Sequence, residues 1–150
     1  MKIENAIQTQ GFKNQKHKAV VNIMYTAYLV KSHISDGLKA YGLTAEQYNV
    51  LRILKGKHPE HMCVRDIASR TIERSSNIPR IIDRLEVKKL VKRSTSAVDK
   101  RETVIILTQA GINMLETTNN LLEKLHEEIC GLDDEKLEQL NSLLDQFRKD

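Results

Sequence analysis

Residues Asp99–Gly111, DKRETVIILTQAG, contain the most specific structural pattern in the chain. It begins with a charged tip, Asp99–Arg101, and continues into Thr103–Leu107, a run of mostly β-branched and aliphatic residues that favours a β-strand. The strand leads directly to Thr108, a residue type that commonly caps a helix. The stretch therefore predicts a charged loop, a strand and a helix start in immediate succession.

Another strand is predicted on the other side of the charged loop, at Leu90–Thr95. Two branched runs separated by a polar loop are typical of a β-hairpin, here with residues 96–101 at its tip. A third, very short strand is expected at His61–Cys63. The sequence therefore predicts a small antiparallel sheet of two or three strands.

Two short helices joined by a turn are predicted ahead of the hairpin, an arrangement typical of a helix-turn-helix. The first contains Val64 and Ile67, the turn falls at Thr71–Arg74, and the second helix runs over Ser75–Leu90. The second helix has apolar residues at spacings of three and four, which are Ile78, Ile81, Ile82 and Leu85.

Pro79 is an unusual residue for the middle of such a helix. With Ser75 as the N-cap, Pro79 is the fourth helical residue, where it has no backbone N–H to donate. The residue before a proline also disfavours α geometry. The sequence therefore predicts an irregular first turn.

The opposite face of this helix is polar and basic. An α-helix fits the major groove of B-DNA, where Arg can bond to guanine and Asn to adenine. An ordinary solvated helix face is the alternative interpretation. The polar positions are Ser76, Asn77, Arg80, Arg84 and Lys88.

The hairpin resembles the wing of the MarR family of transcriptional regulators, which are dimeric winged helix-turn-helix proteins. The resemblance rests on the D-x-R pattern at Asp99 and Arg101, the short strand after it, and the L-T-x-x-G pattern of Leu107–Gly111. It implies a mainly α fold with a small β-wing, comprising six helices and a two- or three-stranded antiparallel sheet. Within one domain of residues 1–150, about 44–110 would form the winged DNA-binding part, and about 15–42 and 108–150 the dimerisation helices.

The resemblance also implies roles for individual residues. In the family, the aspartate of D-x-R helps to hold the wing loop and the arginine reaches toward the minor groove, where narrow A·T-rich segments favour an inserted Arg. Flanking basic residues would add positive charge or contact phosphates. The expected DNA-binding residues are Arg65, Ser75, Ser76, Asn77, Arg80, Arg84, Lys88, Arg93, Asp99, Lys100 and Arg101.

Long amphipathic helices flank the predicted winged part. The first spans about residues 15–42, after a polar segment, residues 1–14, that is expected to form a loosely attached arm. The last two begin at Thr108 and Asp133, and the resemblance implies that all three interlock with a second subunit. A self-contained bundle in a monomer is the alternative.

A small-molecule effector is a further implication of the family. It would bind between the dimerisation helices and the winged part and weaken binding to DNA. The candidate contacts are Tyr25, Tyr28, His33 and Tyr48, whose alternative role is packing.

Charge is distributed unevenly along the chain, although the net charge is only +4. Residues 64–101 contain eleven Lys/Arg and five Asp/Glu, a net +6, whereas residues 112–150 contain four and ten, a net −6. With 40% hydrophobic residues the chain is expected to be globular. A basic middle and an acidic end indicate different partners for the two parts.

Other classes of function find little support in the sequence. No phosphate-binding loop, nucleophile motif or metal-ligand pattern is present, and Pro59 separates His58 from His61. We therefore expect no enzyme activity, cofactor or metal. Cys63 and Cys130 show no disulfide or metal spacing, which favours a reducing, cytoplasmic setting; a thiol redox switch is a further hypothesis. No run approaches the ~18 apolar residues of a membrane span.

The sequence and the resemblance thus predict a homodimeric, sequence-specific regulator that binds palindromic double-stranded DNA and acts as a repressor with a small-molecule effector. A winged-helix module used only for protein–protein assembly is the alternative.

Overall fold

The computed structural model describes residues 1–74 and 77–148. Within these ranges the chain forms seven helices and a three-stranded sheet. The elements follow in the order α1 (Ile3–Ala6), α2 (Gln15–Lys39), α3 (Ala45–Lys57), β1 (Met62–Cys63), α4 (Val64–Arg70), α5 (Ile78–Val87), β2 (Val91–Thr95), β3 (Thr103–Leu107), α6 (Gln109–Ile129) and α7 (Asp134–Phe147).

The additional helix, α1, lies in the segment that was expected to be a loose arm. Ile3 is only 5% exposed, and the Glu4 carboxylate forms an ion pair with Lys18 Nζ at 2.5 Å. The ion pair attaches the arm to the start of α2. The described residues therefore form seven helices, one more than the six predicted, because the segment expected to be a loosely attached arm contains a short helix.

The start of α3 shows why the local sequence is decisive there. Thr44 Oγ1 accepts a hydrogen bond from Gln47 N at 3.1 Å, and Gln47 Oε1 accepts one from Thr44 N at 3.3 Å. This reciprocal capping satisfies two backbone donors that a helix start otherwise leaves unpaired. Leu51 and Leu54 then carry α3 into the hydrophobic core.

Helix α5 is shorter than the sequence predicted. Its N-cap is Asn77, whose side chain accepts a hydrogen bond from Arg80 N at 3.2 Å. Pro79 is thus the second helical residue, where the backbone N–H has no intrahelical partner in any case. The expected start at Ser75 and end at Leu90 are wrong, and Pro79 is compatible with a regular first turn.

The sheet has the order β1-β3-β2, and both pairs are antiparallel. Strand β3 is central, with Ile105 opposite both Met62 of β1 and Arg93 of β2. Ile105 is fully buried, so the middle of the sheet is fixed against the helical core. The predicted hairpin and the short third strand are both confirmed.

A tight junction joins the wing to α6. Thr108 Oγ1 caps α6 by accepting from Gly111 N at 3.1 Å, and it donates to the Lys89 carbonyl at 2.7 Å. Thr108 N also donates to the Leu90 carbonyl at 3.1 Å. A Cβ on Gly111 would lie 2.3 Å from that same Leu90 oxygen. The L-T-x-x-G pattern is therefore a capping threonine followed by a glycine that a neighbouring backbone requires.

The three flanking helices are packed unequally within the chain. Helix α2 crosses α6 so closely that a Cβ on Gly37 would lie 2.6 Å from Leu125 Cδ1, and His33 Nε2 lies 3.2 Å from Glu128 Oε2. Helix α7 buries none of its residues in the chain. Of the helices in the described ranges, none combines the length and hydropathy needed to cross a bilayer.

Candidate nucleic-acid interface

Helix α5 presents an exposed basic face. Ile78, Ile82 and Leu85 are buried on one side, whereas Arg80 and Arg84 are exposed on the other. Because they are four residues apart, the two arginines lie on one side of the helix. The predicted contacts Ser75 and Ser76 lie outside the described residues.

Asn77 was predicted as a base contact. In the structure it is the N-cap of α5, and its side-chain oxygen accepts a hydrogen bond from Arg80 N. The side chain is exposed, and its amide nitrogen is a separate donor. Asn77 therefore lies next to Arg80 and Arg84 at the exposed start of α5, with half of its hydrogen-bonding capacity used by the helix.

Lys88 does not extend the basic face. Its Nζ donates to the Gly42 carbonyl and, at 3.0 Å, to Gln47 Oε1, which is in a buried residue. Lys88 thus links the end of α5 to the loop before α3, and its role as a DNA contact stays a prediction.

Val87 is a residue of this face that the sequence did not single out. It is 83% exposed and follows Arg80 by seven residues and Arg84 by three, so it shares their side of α5. The spacing of Val87 from Arg80 and Arg84 could have placed it on the exposed face from the sequence alone. No role was predicted for it, because it is apolar and its neighbours on that face are basic.

Arg93 differs most from its predicted role. Its guanidinium, on β2, forms ion pairs with the carboxylates of Asp83 and Glu86, both on α5. The hydrogen bond that Arg93 donates to Asp83 is the main cause that raises the pKa of Arg93 above its usual value. Arg93 therefore anchors the wing to α5 and neutralises two acidic groups there, while its role as added positive charge facing DNA stays a prediction.

The wing tip is held by its own polar side chains. Asp99 Oδ1 accepts a hydrogen bond from Arg101 N at 2.9 Å, and the Asp99 carbonyl accepts one from Glu102 N at 3.0 Å. The Asp99 side chain thus stabilises the loop, the role that the resemblance implies for it. Lys100 and Arg101 are exposed beside it.

Arg65 lies at the base of the wing. Together with Cys63, Arg101 and Glu102 it lines a cleft of about 320 Å³. Arg65 and Arg101 therefore place two positive charges at the same edge of the sheet.

Cys63 lines the same cleft. Burial raises the pKa of the Cys63 thiol, which disfavours the thiolate that an oxidant-sensing cysteine needs.

The four candidate effector contacts have different surroundings. Tyr28 is 67% exposed, His33 faces Glu128, and Tyr25 is half-buried. Tyr48 packs against the core, and burial raises the pKa of its hydroxyl. The cleft at the wing and another of about 330 Å³ between α3 and α5 are lined by other residues.

Comparison with known proteins identifies the family of this chain. The family model described as Transcriptional regulator SarA/Rot matches residues 32–118. The chain belongs to this MarR-like family of DNA-binding transcriptional regulators. Its membership confirms the predicted winged helix-turn-helix fold and the predicted class of function.

Three relatives illustrate the relationship. The HTH-type transcriptional regulator MhqR of Bacillus subtilis is 27% identical over 118 residues, 77% of this chain and 79% of MhqR. A MarR transcription factor from Planctomyces limnophilus is 30% identical, with a TM-score of 0.70 over 91% of this chain and 99% of its own. The MepR–DNA complex of Staphylococcus aureus has a TM-score of 0.76 at 23% identity, covering 91% and 96%, and shows likeness in fold.

Proposed function

We propose that this MarR-family regulator is a homodimeric, ligand-responsive repressor of a palindromic operator, with no enzymatic role. The observation that carries the proposal is the exposed pair Arg80 and Arg84 on α5 beside a rigid wing that exposes Lys100 and Arg101. Residues 44–110 would contact DNA, and residues 15–42 and 108–150 would form the dimer. The relatives are transcriptional regulators, which is a non-enzymatic role.

The two DNA-binding elements would have different tasks. Helix α5 would lie in the major groove, where Arg80 and Arg84 can bond to guanine edges and Asn77 can use its free amide donor. Arg101 would enter the minor groove, where negative potential is concentrated, while Arg65 would contact a phosphate. Ser75 and Ser76, directly before α5 in sequence, remain proposed contacts. The MepR–DNA complex shares this fold and supports the assignment.

This proposal can be tested through the salt dependence of binding to duplexes selected from a random pool. We expect Arg84→Ala to weaken binding by about tenfold or more, the low end of the loss for one good base contact. Arg101→Ala should weaken it and reduce the slope of log K against log salt by about one. The measurement is fluorescence anisotropy with labelled duplex.

Lys124→Ala is the matched control, because this exposed lysine lies on α6 about 20 Å along the helix from Gly111. It should leave affinity and slope unchanged. Binding that ignores salt, or equal affinities for all three variants and the unaltered protein, would contradict the DNA contacts and favour a protein-assembly role.

The proposed dimer rests on apolar side chains that the chain itself does not cover. On α2, Met24 and Tyr28 are each 67% exposed and lie four residues apart. On α7, Leu140, Leu143 and Phe147 are 41%, 63% and 46% exposed. Helix faces with this much exposed apolar surface are stabilised by burial against another helix, and a second copy supplies a matching set by symmetry.

Leu143→Glu tests the dimer, because it places a charge on the exposed apolar face of α7 without altering the core of the chain. We expect a shift from dimer to monomer at micromolar concentration, measured by light scattering after size exclusion. Glu138→Gln, an exposed change on the same helix, should leave the dimer intact. A Leu143→Glu protein that stays dimeric would place the interface elsewhere.

An effector site would be completed by the dimer. Tyr25, Tyr28 and His33 lie on α2, and Tyr48 on α3 lies half-buried against the core; these four residues remain the proposed effector contacts. A ligand that prefers one separation of the two α5 helices would shift the population toward it and lower operator affinity.

A further inference from the structure

The wing tip exposes a branched apolar side chain in a loop whose other residues, apart from Ala97, are polar. Val98 is 98% exposed, while its backbone N–H is held by Ser96 Oγ at 3.2 Å. Ser96 Oγ also accepts from Asp99 N at 3.3 Å, and Ser96 N donates to the Glu102 carbonyl at 2.9 Å. The position of Val98 is thus set by neighbouring polar groups and not by any contact of its own side chain.

Single exposed apolar residues are ordinary on protein surfaces, so the position of Val98 is what matters. It directly precedes Asp99, and Lys100 and Arg101 follow, which are the cations proposed to meet the minor groove. A wing that inserts Arg101 into the minor groove would bring the nearby Val98 to the same groove. Proteins that bind the minor groove frequently use apolar side chains there, inserted at the base steps.

The minor groove distinguishes few features of the base pairs. A·T pairs present only acceptors there, whereas a G·C pair adds the guanine N2 amine, a donor on the groove floor. Valine has no acceptor for this amine, and its two methyl groups would exclude the water that otherwise hydrates it. A desolvated amine without a partner is unfavourable.

We propose that Val98 is a specificity-determining residue of the wing, which packs on the minor-groove floor and selects against G·C pairs by leaving the groove-facing N–H of the guanine N2 amine without a partner. The inference rests on the proposed contact between the wing and DNA. It divides the tip into two tasks, since Arg101 supplies affinity through its charge and Val98 supplies the discrimination.

The test uses the full chain and one duplex selected from a random pool, with the wing position located by minor-groove footprinting. At that position four pairs are compared: A·T, G·C, inosine·C, which lacks the N2 amine, and 2,6-diaminopurine·T, which has it. We expect A·T and inosine·C to bind roughly five- to tenfold more tightly than the two pairs that carry the amine, the scale of one unfavourable base pair.

Two substitutions separate Val98 from the general shape of the groove. Val98→Thr keeps the shape and adds a hydroxyl that can accept from the amine, so the difference between the pairs should fall to about twofold or less. Val98→Ile keeps an apolar side chain and should retain the difference. Arg101→Ala should weaken binding to all four duplexes and preserve their ratio.

Each result decides the matter. If inosine·C binds as weakly as G·C, or if Val98→Thr discriminates as the unaltered protein does, the role of Val98 is overturned while DNA binding by the wing stands. If the protein binds no duplex at all, the proposed function itself fails. The predicted pattern in all three variants would establish the role.

Discussion

Replacing Gly111 by alanine should destabilise the protein by about 3 kcal/mol, the upper range for a forced steric overlap in a packed region. The added Cβ would lie 2.3 Å from the Leu90 carbonyl oxygen and 2.7 Å from Leu107 Cδ1. The side chain of Leu107 can rotate away, but the Leu90 oxygen is backbone and accepts a hydrogen bond from Thr108 N. The backbone of the junction must therefore shift.

This loss of stability is opposite in sign to the usual effect, because replacing a glycine in a helix by alanine normally stabilises the protein. Gly56 in α3 provides the matched control, since nothing lies within 4 Å of a Cβ built there. Gly56→Ala should gain about 0.5–1 kcal/mol from helix propensity. Urea unfolding followed by circular dichroism, at one protein concentration for all variants, measures both free energies of unfolding. Two substitutions of the same sign would contradict the packing seen at the junction.

Arg93→Ala should weaken DNA binding by about 30-fold, which corresponds to about 2 kcal/mol. Without the guanidinium, the carboxylates of Asp83 and Glu86 are left unneutralised on the helix that is proposed to enter the major groove. Each would repel the phosphates, and like charges brought together at an interface are costly. The free energy of unfolding should change by about 1 kcal/mol or less, because the ion pairs are exposed.

A double-mutant cycle distinguishes this indirect role from the direct contact that the sequence predicted. In a protein with Asp83→Asn and Glu86→Gln, Arg93→Ala should cost little DNA affinity. A direct phosphate contact by Arg93 would instead cost the same in both backgrounds. Lys92→Ala, an exposed change one residue earlier on β2, controls for the loss of one positive charge from the strand.

The sequence was most informative where structure is local. The helix starts at Thr108 and Asp133 were identified because a capping residue and the amide from which it accepts a hydrogen bond are three positions apart in sequence. The start of α5 was not, since Ser75 and Asn77 are both good N-cap residues and the local pattern does not choose between them.

What the sequence could not supply were partners distant in the chain. Lys88 and Arg93 look like free cations in the sequence, but Gln47 is 41 residues from Lys88 and Asp83 is ten from Arg93. The family resemblance predicted a glycine at position 111 but not the reason for it. The reason is the Leu90 carbonyl, just before β2, which leaves no room for a Cβ at Gly111. Because these acceptors could not be recognised in the sequence, Lys88 and Arg93 were predicted only as DNA contacts.

The close crossing at Gly37 and Leu125 has a consequence for how operators can diverge. Because the Leu125 side chain packs directly against the backbone at Gly37, α2 and α6 have little freedom to slide, and each subunit would turn as one body. The distance between half-sites would then be set by the faces of α2 and α7 that meet the second copy. Substitutions on those faces could alter operator spacing while the base preferences of α5 stayed the same.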